Sequence, residues 1–128
     1  MPMEEGTIFK LLRRETHERD IKPDHILAYE PGKSYNIYAA SAVVRPEHRN
    51  YLRELLKSIF NYWCEQYSAI KLSKLYAYAD STEGWYLIKH LYFSPGHGIG
   101  EKAFELDLYE PNPSKLVMSF QDCLKGDR

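Results

Sequence analysis

The residues whose types and spacing could best support binding or catalysis lie where a predicted strand meets a predicted helix. The segment Val44-Arg-Pro-Glu-His-Arg49 ends an apolar strand, and Pro46 suits the first turn of a helix because its missing N–H has no intrahelical partner there. A helix start offers unpaired N–H groups and a positive dipole end to an anion. Arg45, Arg49 and Arg53 add positive charge, although three arginines are equally typical of a solvated surface.

The segment after this junction has the clearest helical pattern in the chain. Its apolar residues recur every three or four positions over four turns: Leu52, Leu55, Leu56, Ile59, Phe60, Trp63 and Tyr67. Strand patterns precede it at Ser34–Val44 and follow it at Lys74–Ala79, where Tyr76 and Tyr78 face away from Leu75, Ala77 and Ala79. The order strand–helix–strand predicts two parallel neighbouring strands with a right-handed crossover.

The remaining segments complete one domain over residues 1–128. In order, they are a short helical pattern in Thr7–Arg19, strands at His25–Glu30 and Ser34–Val44 forming a hairpin, a helix at Thr82–His90, a strand at Lys102–Tyr109, and a C-terminal helix at about 114–125 capped by Ser114. They predict an α/β (α+β) fold: a mixed, mostly antiparallel sheet with a central parallel strand pair and helices on both faces.

Composition excludes several classes of function. With 17 basic and 18 acidic residues the net charge is -1, which gives no electrostatic case for nucleic acid or for an anionic membrane as the main partner. The five histidines show no paired ligand spacing, so no metal site is predicted. Gly96–Gly100 leads into a strand rather than a helix, which rejects a dinucleotide loop.

Cysteine usage and the N-terminus bear on the compartment. Cys64 and Cys123 follow no metal or redox spacing, and the interpretation favoured over a disulfide is a pair of buried free thiols in a reducing cytoplasm. The sequence has no signal-peptide pattern and no apolar stretch approaching the roughly 20 residues that cross a bilayer. A cytoplasmic location is therefore expected.

Two motifs, in this order and at this separation, resemble those of the GNAT family of N-acetyltransferases. Val44-Arg-Pro-Glu-His-Arg49 before a long helix looks like the family's cofactor motif. Asp80-Ser-Thr-Glu-Gly-Trp-Tyr-Leu-Ile-Lys-His-Leu-Tyr-Phe93 is similar in length and phase to its later motif, a helix ending in Leu-Tyr-x-Lys-x-Gly-Phe, and Ala103–Tyr109 would be the final strand. The resemblance spans roughly Ile26–Tyr109 and implies a GNAT-like fold whose N-terminal part, about residues 1–24, is shortened.

The resemblance also implies a cofactor, acetyl-CoA, held in a V-shaped gap between the two parallel strands. Backbone groups near Val44 would pair with its pantetheine, and the start of the next helix would hold its pyrophosphate. The cofactor-binding residues implied in this way are Val44, Arg49, Asn50, Tyr51, Leu52 and Arg53. The acceptor would be a primary amine on a small molecule or peptide, attacked directly in a ternary complex.

The catalytic residues implied are an acid and a base. The family's tyrosine acid falls on Ile88, which has no proton to give; Tyr92, in the family's glycine position, lies four residues later and would share its side if the helix continued. A packed aromatic is the alternative for Tyr92. His48 is the candidate base because its pKa range suits proton abstraction, and Glu30, Glu47 and Asp80 are alternatives.

Two other functions stay open. Arg49–Glu54 has no glycine where the family loop has two, and this favours a catalytically degenerate GNAT-like domain that binds a ligand or another protein. The second open function is that of a domain that forms a homodimer through the strand Lys102–Tyr109 or through the C-terminal helix.

Overall fold

The computed structural model describes residues 2–30, 32–38, 52–66, 71–79, 82–96 and 98–124. Its elements are β1 (Pro2–Met3), α1 (Glu5–Leu12), β2 (Ser34–Tyr38), α2 (Leu52–Gln66), β3 (Lys71–Tyr78), α3 (Thr82–His90), β4 (Ser94–Pro95), β5 (Ala103–Asp107) and α4 (Lys115–Leu124). Two 3-10 turns, Glu18–Asp20 and Pro23–His25, lie between α1 and β2. The predicted mixed α/β class is confirmed.

The strands form one five-stranded sheet in the order β1-β2-β3-β5-β4. β2 and β3 are parallel, as predicted from the crossover, and the other three pairs are antiparallel. β5 is hydrogen-bonded to β3 on one side and to β4 on the other. β5 is therefore paired on both sides at Phe104 and Glu105, and the homodimer through this strand stays a prediction.

A bulge in β3 sets which residues face the main core. Tyr35 pairs with Leu72 and Ile37 pairs with Leu75, so two residues of β3 stand opposite one residue of β2. Leu72 and Leu75 are an odd number of positions apart, yet both are buried in the same cluster. After the bulge the strand alternates as predicted, and Tyr76 lies on the opposite face.

Helices α2 and α4 cover one face of the sheet. The rings of Phe60 and Phe120 stack with centroids 4.4 Å apart, and Trp63 lies 5.9 Å from Phe120. Cys64 and Cys123 join the two helices in a disulfide, with their Cα atoms 6.0 Å apart. The prediction of free thiols is wrong, because two cysteines in separate helices are brought together by helix packing that their sequence spacing does not encode.

Helix α1 covers the opposite face. Its apolar residues Ile8, Leu11 and Leu12 are buried against Tyr38 and Tyr76 of the sheet. Both tyrosine hydroxyls find carboxylates: Tyr38 donates to Glu18 Oε1 at 2.7 Å and Tyr76 to Glu5 Oε2 at 3.3 Å. Burial, followed by the negative charge of Glu5, raises the pKa of Tyr76 well above its ordinary value.

The predicted strand at His25–Glu30 is wrong. Pro23 starts a 3-10 turn there, and the few hydrogen bonds of the segment beyond it do not form a strand ladder. The N–H of Leu27 donates to the carbonyl oxygen of Pro2 at 2.8 Å. The Tyr35 hydroxyl accepts from the N–H of Glu30 at 2.7 Å and donates to the carbonyl of Ala28 at 2.8 Å. The neighbour of β2 is instead β1, whose two residues carry no strand pattern.

Buried amides fix the approach to α4. Ser114 caps this helix as predicted, its Oγ accepting from the N–H of Val117 at 3.3 Å. Gln121 is buried and donates through Nε2 to the carbonyl oxygens of Leu108 at 3.1 Å and Glu110 at 2.6 Å. These bonds hold the turn after β5 against α4.

Candidate functional site

The carboxyl ends of β2 and β3 define the candidate site. Because the two strands are parallel, these ends meet at the same edge of the sheet, and ligands of α/β proteins bind outside such edges. Of the predicted cofactor residues, Leu52 and Arg53 form the first described turn of α2. Val44, Arg49, Asn50 and Tyr51 lie outside the described residues, as does the candidate base His48.

Of the alternative bases, only Glu30 lies among the described residues. Glu30 precedes β2 and therefore lies at its amino end, away from the edge where the carboxyl ends meet. Its carboxylate forms an exposed ion pair with Lys33, whose pKa is raised by the hydrogen bond and the charge of Glu30. Glu47 and Asp80 lie outside the described residues. The position of Glu30 argues against it as the base for chemistry at the carboxyl edge.

Ile88, at the position of the family's acid, belongs to the core. It is 5% exposed and packs with Ala79 and Phe104, near the end of β3. Trp85, one turn earlier on α3, lies edge-on to Phe104 with ring centroids 5.2 Å apart. The inward face of α3 is therefore apolar at both positions, and a proton donor is not available from Ile88.

Tyr92 does not share the side of Ile88, because α3 ends at His90. Tyr92 has a φ of 57°, and the N–H of Phe93 donates to the carbonyl of Ile88 at 3.0 Å. This is the bond of a Schellman ending, with Tyr92 in the left-handed position that glycine usually occupies. Its side chain is 54% exposed, whereas Ile88 is buried.

The left-handed backbone at Tyr92 is one that glycine adopts far more readily than tyrosine. A residue with a Cβ costs roughly 1–2 kcal/mol in this conformation, since the Cβ approaches the following carbonyl oxygen. The side chain at this strained position is more than half exposed, so its packing does little to offset the cost. Strain of this kind is concentrated at functional positions, which makes Tyr92 a functional candidate on physical grounds.

Asn112 supports the turn at Tyr92 and was not predicted from the sequence. Its Nδ2 donates to the carbonyl oxygen of Leu91 at 3.0 Å, and its Oδ1 accepts from the N–H of Ser114 at 2.8 Å. The side chain is 7% exposed. Its place between Pro111 and Pro113, where backbone N–H donors are missing, is the only signal the sequence offers.

The described residues also bear on metal binding and on membranes. Across the described ranges, no group of three or more His, Cys, Asp or Glu side chains could hold a metal ion. Among the helices that the structure describes, none is long and apolar enough to cross a bilayer. Comparison of the chain with models of protein families, with curated proteins and with solved structures found no match.

Proposed function

We propose that this protein is an acetyl-CoA-dependent N-acetyltransferase of the GNAT type that acts on a primary amine by direct transfer. The observation that carries the proposal is the parallel pairing of β2 and β3 on either side of the crossover helix α2. Helix α3 and the strand β5 then follow in the order that the resemblance implies.

The coenzyme's pyrophosphate would bind at the start of the crossover helix. The first N–H groups of a helix have no intrahelical partners, and α2 follows a strand whose carboxyl end lies beside that of β3. Leu52 and Arg53 would supply two of these N–H groups.

Bound acetyl-CoA supplies a thioester carbonyl for attack by an amine. His48 would take the proton from the attacking ammonium group, which leaves a lone pair on nitrogen. As the C–N bond forms and the C–S bond breaks, the Tyr92 hydroxyl would give its proton to the departing sulfur. The proton that the nitrogen loses on becoming an amide would then restore the phenol. The exposure of the Tyr92 ring supports this role because a proton donor must reach the bound molecules.

Calorimetric titration with acetyl-CoA tests the proposal. We expect saturable binding of one molecule per chain, and absence of binding at millimolar concentration would eliminate the enzyme. A Tyr92→Phe variant should bind the coenzyme normally but lower turnover about 100-fold, the lower end of the usual contribution of general acid catalysis. Tyr109→Phe is the matched control, because Tyr109 is also strongly exposed and lies in the turn after β5.

The burial of Ile88 favours a second candidate, a GNAT-like domain that binds a ligand without catalysis. This residue replaces the family's acid and packs in the core. Such a domain would bind acetyl-CoA in the same titration yet leave every amine unacetylated. Unchanged turnover in Tyr92→Phe would remove the acid role from Tyr92 without removing the coenzyme.

A further inference from the structure

A hollow of about 300 Å³ lies between the end of α1 and the loop that connects β4 to β5. Its walls include Leu12, Arg13, Arg14, Tyr78, Gly100 and Lys102. Tyr78 is the last residue of β3, so the hollow adjoins the carboxyl end of that strand on the face covered by α1.

Close contacts hold the two walls together. Arg13 donates through Nε to the carbonyl oxygen of Ile99 at 3.0 Å and through Nη2 to that of Gly98 at 3.3 Å. Gly100 lies so near α1 that a Cβ there would be 3.3 Å from the carbonyl oxygen of Leu12. The loop is therefore fixed against α1, and the hollow is part of the fold.

Arg14 occupies a strained position in this wall. Its φ is 61°, and the N–H of Glu15 donates to the carbonyl of Lys10 at 2.9 Å, so Arg14 takes the left-handed place of a Schellman ending. Its guanidinium lies 3.8 Å from the centroid of the Tyr78 ring. A favourable charge at the end of α1 does not need this strain, because Arg13 already supplies one there.

The charge of the hollow differs from that of the chain. Arg13, Arg14 and Lys102 line it with a single acidic residue, Glu101, which gives a net charge of +2, whereas the whole chain carries -1. Two guanidinium groups and an ammonium group are the side chains that bind oxyanions by charge-assisted hydrogen bonds.

We propose that this hollow binds the carboxylate or phosphate group of a small molecule. Arg14 and Lys102 provide the charge from two different elements, and the ring of Tyr78 positions the Arg14 guanidinium. Arg13 keeps the loop in place. Binding at this site does not depend on acetyl transfer. A negative result for either proposal therefore leaves the other unaffected.

Titration of the full chain with inorganic phosphate and, separately, with succinate tests the proposal, with acetyl-CoA absent and ionic strength held constant. Amide chemical shifts in an NMR spectrum report where each ion binds. We expect saturable shifts at residues 12–14 and 98–102 with at least one of the two ions, and the better ion identifies the source of the oxyanion. No saturable shift with either ion overturns the proposal.

Variants separate this site from general surface charge. Arg14→Gln and Lys102→Gln should each weaken binding about tenfold, the ratio that corresponds to about 1.4 kcal/mol. Arg19→Gln is the matched control, because Arg19 is an exposed arginine on a 3-10 turn that does not line the hollow. Equal weakening in Arg19→Gln, or none in Lys102→Gln, contradicts the proposal. Arg14→Gly should lose binding while its thermal midpoint stays the same or rises, which shows that the loss is not unfolding.

Discussion

At Tyr92, glycine should give a more stable protein than alanine, the reverse of the usual order. The φ of 57° costs a residue with a Cβ roughly 1–2 kcal/mol. Glycine removes that cost but makes the unfolded chain more flexible, which takes back about 0.4–1 kcal/mol. The useful comparison is between Tyr92→Gly and Tyr92→Ala, since both remove the same half-exposed ring. We expect glycine to give the higher free energy of unfolding, by about 0.5–1 kcal/mol.

Urea denaturation followed by tryptophan fluorescence measures this difference. Trp63 packs beside Phe120 and Trp85 beside Phe104, so the two tryptophans report on different parts of the core. Lys89 provides the control pair, because it is exposed and lies in the last turn of the same helix, where glycine should be less stable than alanine by up to about 1 kcal/mol.

The opposite signs at the two positions are what the structure predicts. If glycine is less stable than alanine at Tyr92 by as much as at Lys89, then Tyr92 is not left-handed in solution. Tyr92 would then carry no backbone strain for a functional constraint to explain. A more stable Tyr92→Gly that also lost turnover would instead show that strain is retained for the phenol.

Three further predictions concern the core. Reducing the Cys64–Cys123 disulfide, which spans 59 residues, should lower the free energy of unfolding by roughly 4 kcal/mol. The loss should appear as a lower urea midpoint in dithiothreitol. An unchanged midpoint would show that the bond does not form. Because the raised pKa of Tyr76 keeps the folded state protonated above the ordinary value of 10.0, stability is complete below pH 10 and falls as pH rises further. Tyr76→Phe should therefore flatten alkaline unfolding curves by up to about 1.4 kcal/mol per pH unit, and parallel curves would contradict the burial of this hydroxyl. Gln121→Leu removes the side-chain donor from the buried carbonyl of Leu108 and from the part-buried carbonyl of Glu110, and should cost about 1–3 kcal/mol in thermal or urea unfolding. Ser119→Ala on the exposed face of α4 should cost little.

Segments whose pattern agrees with their packing could be predicted from the sequence. The helix at Thr82–His90 has the predicted bounds, and the parallel pair follows from the crossover rule alone. The prediction for Thr7–Arg19 found the buried residues of α1 but not its end at Leu12. That end depends on a left-handed Arg14, a conformation that arginine rarely adopts and that no pattern signals.

What could not be predicted depends on contacts between distant residues. The segment His25–Glu30 has a strand-like composition, but the Tyr35 hydroxyl replaces a ladder there. The disulfide depends on how α2 and α4 pack, and the bulge in β3 on which residues the core accepts. At the candidate site, helical spacing along α3 does not predict the side on which Tyr92 lies relative to Ile88. This spacing applies only within the helix, which ends at His90.

The position of β5 in the sheet has a consequence for how the chain folds as it is synthesised. β5 is the last strand in sequence but lies between β3 and β4, so β3 keeps one edge unpaired until Ala103–Asp107 leave the ribosome. An exposed strand edge invites pairing with other nascent chains. Codon choices that slow the synthesis of β5 should therefore lower the soluble yield. An equal slowing in α4, which adds no strand to the sheet, should lower it less.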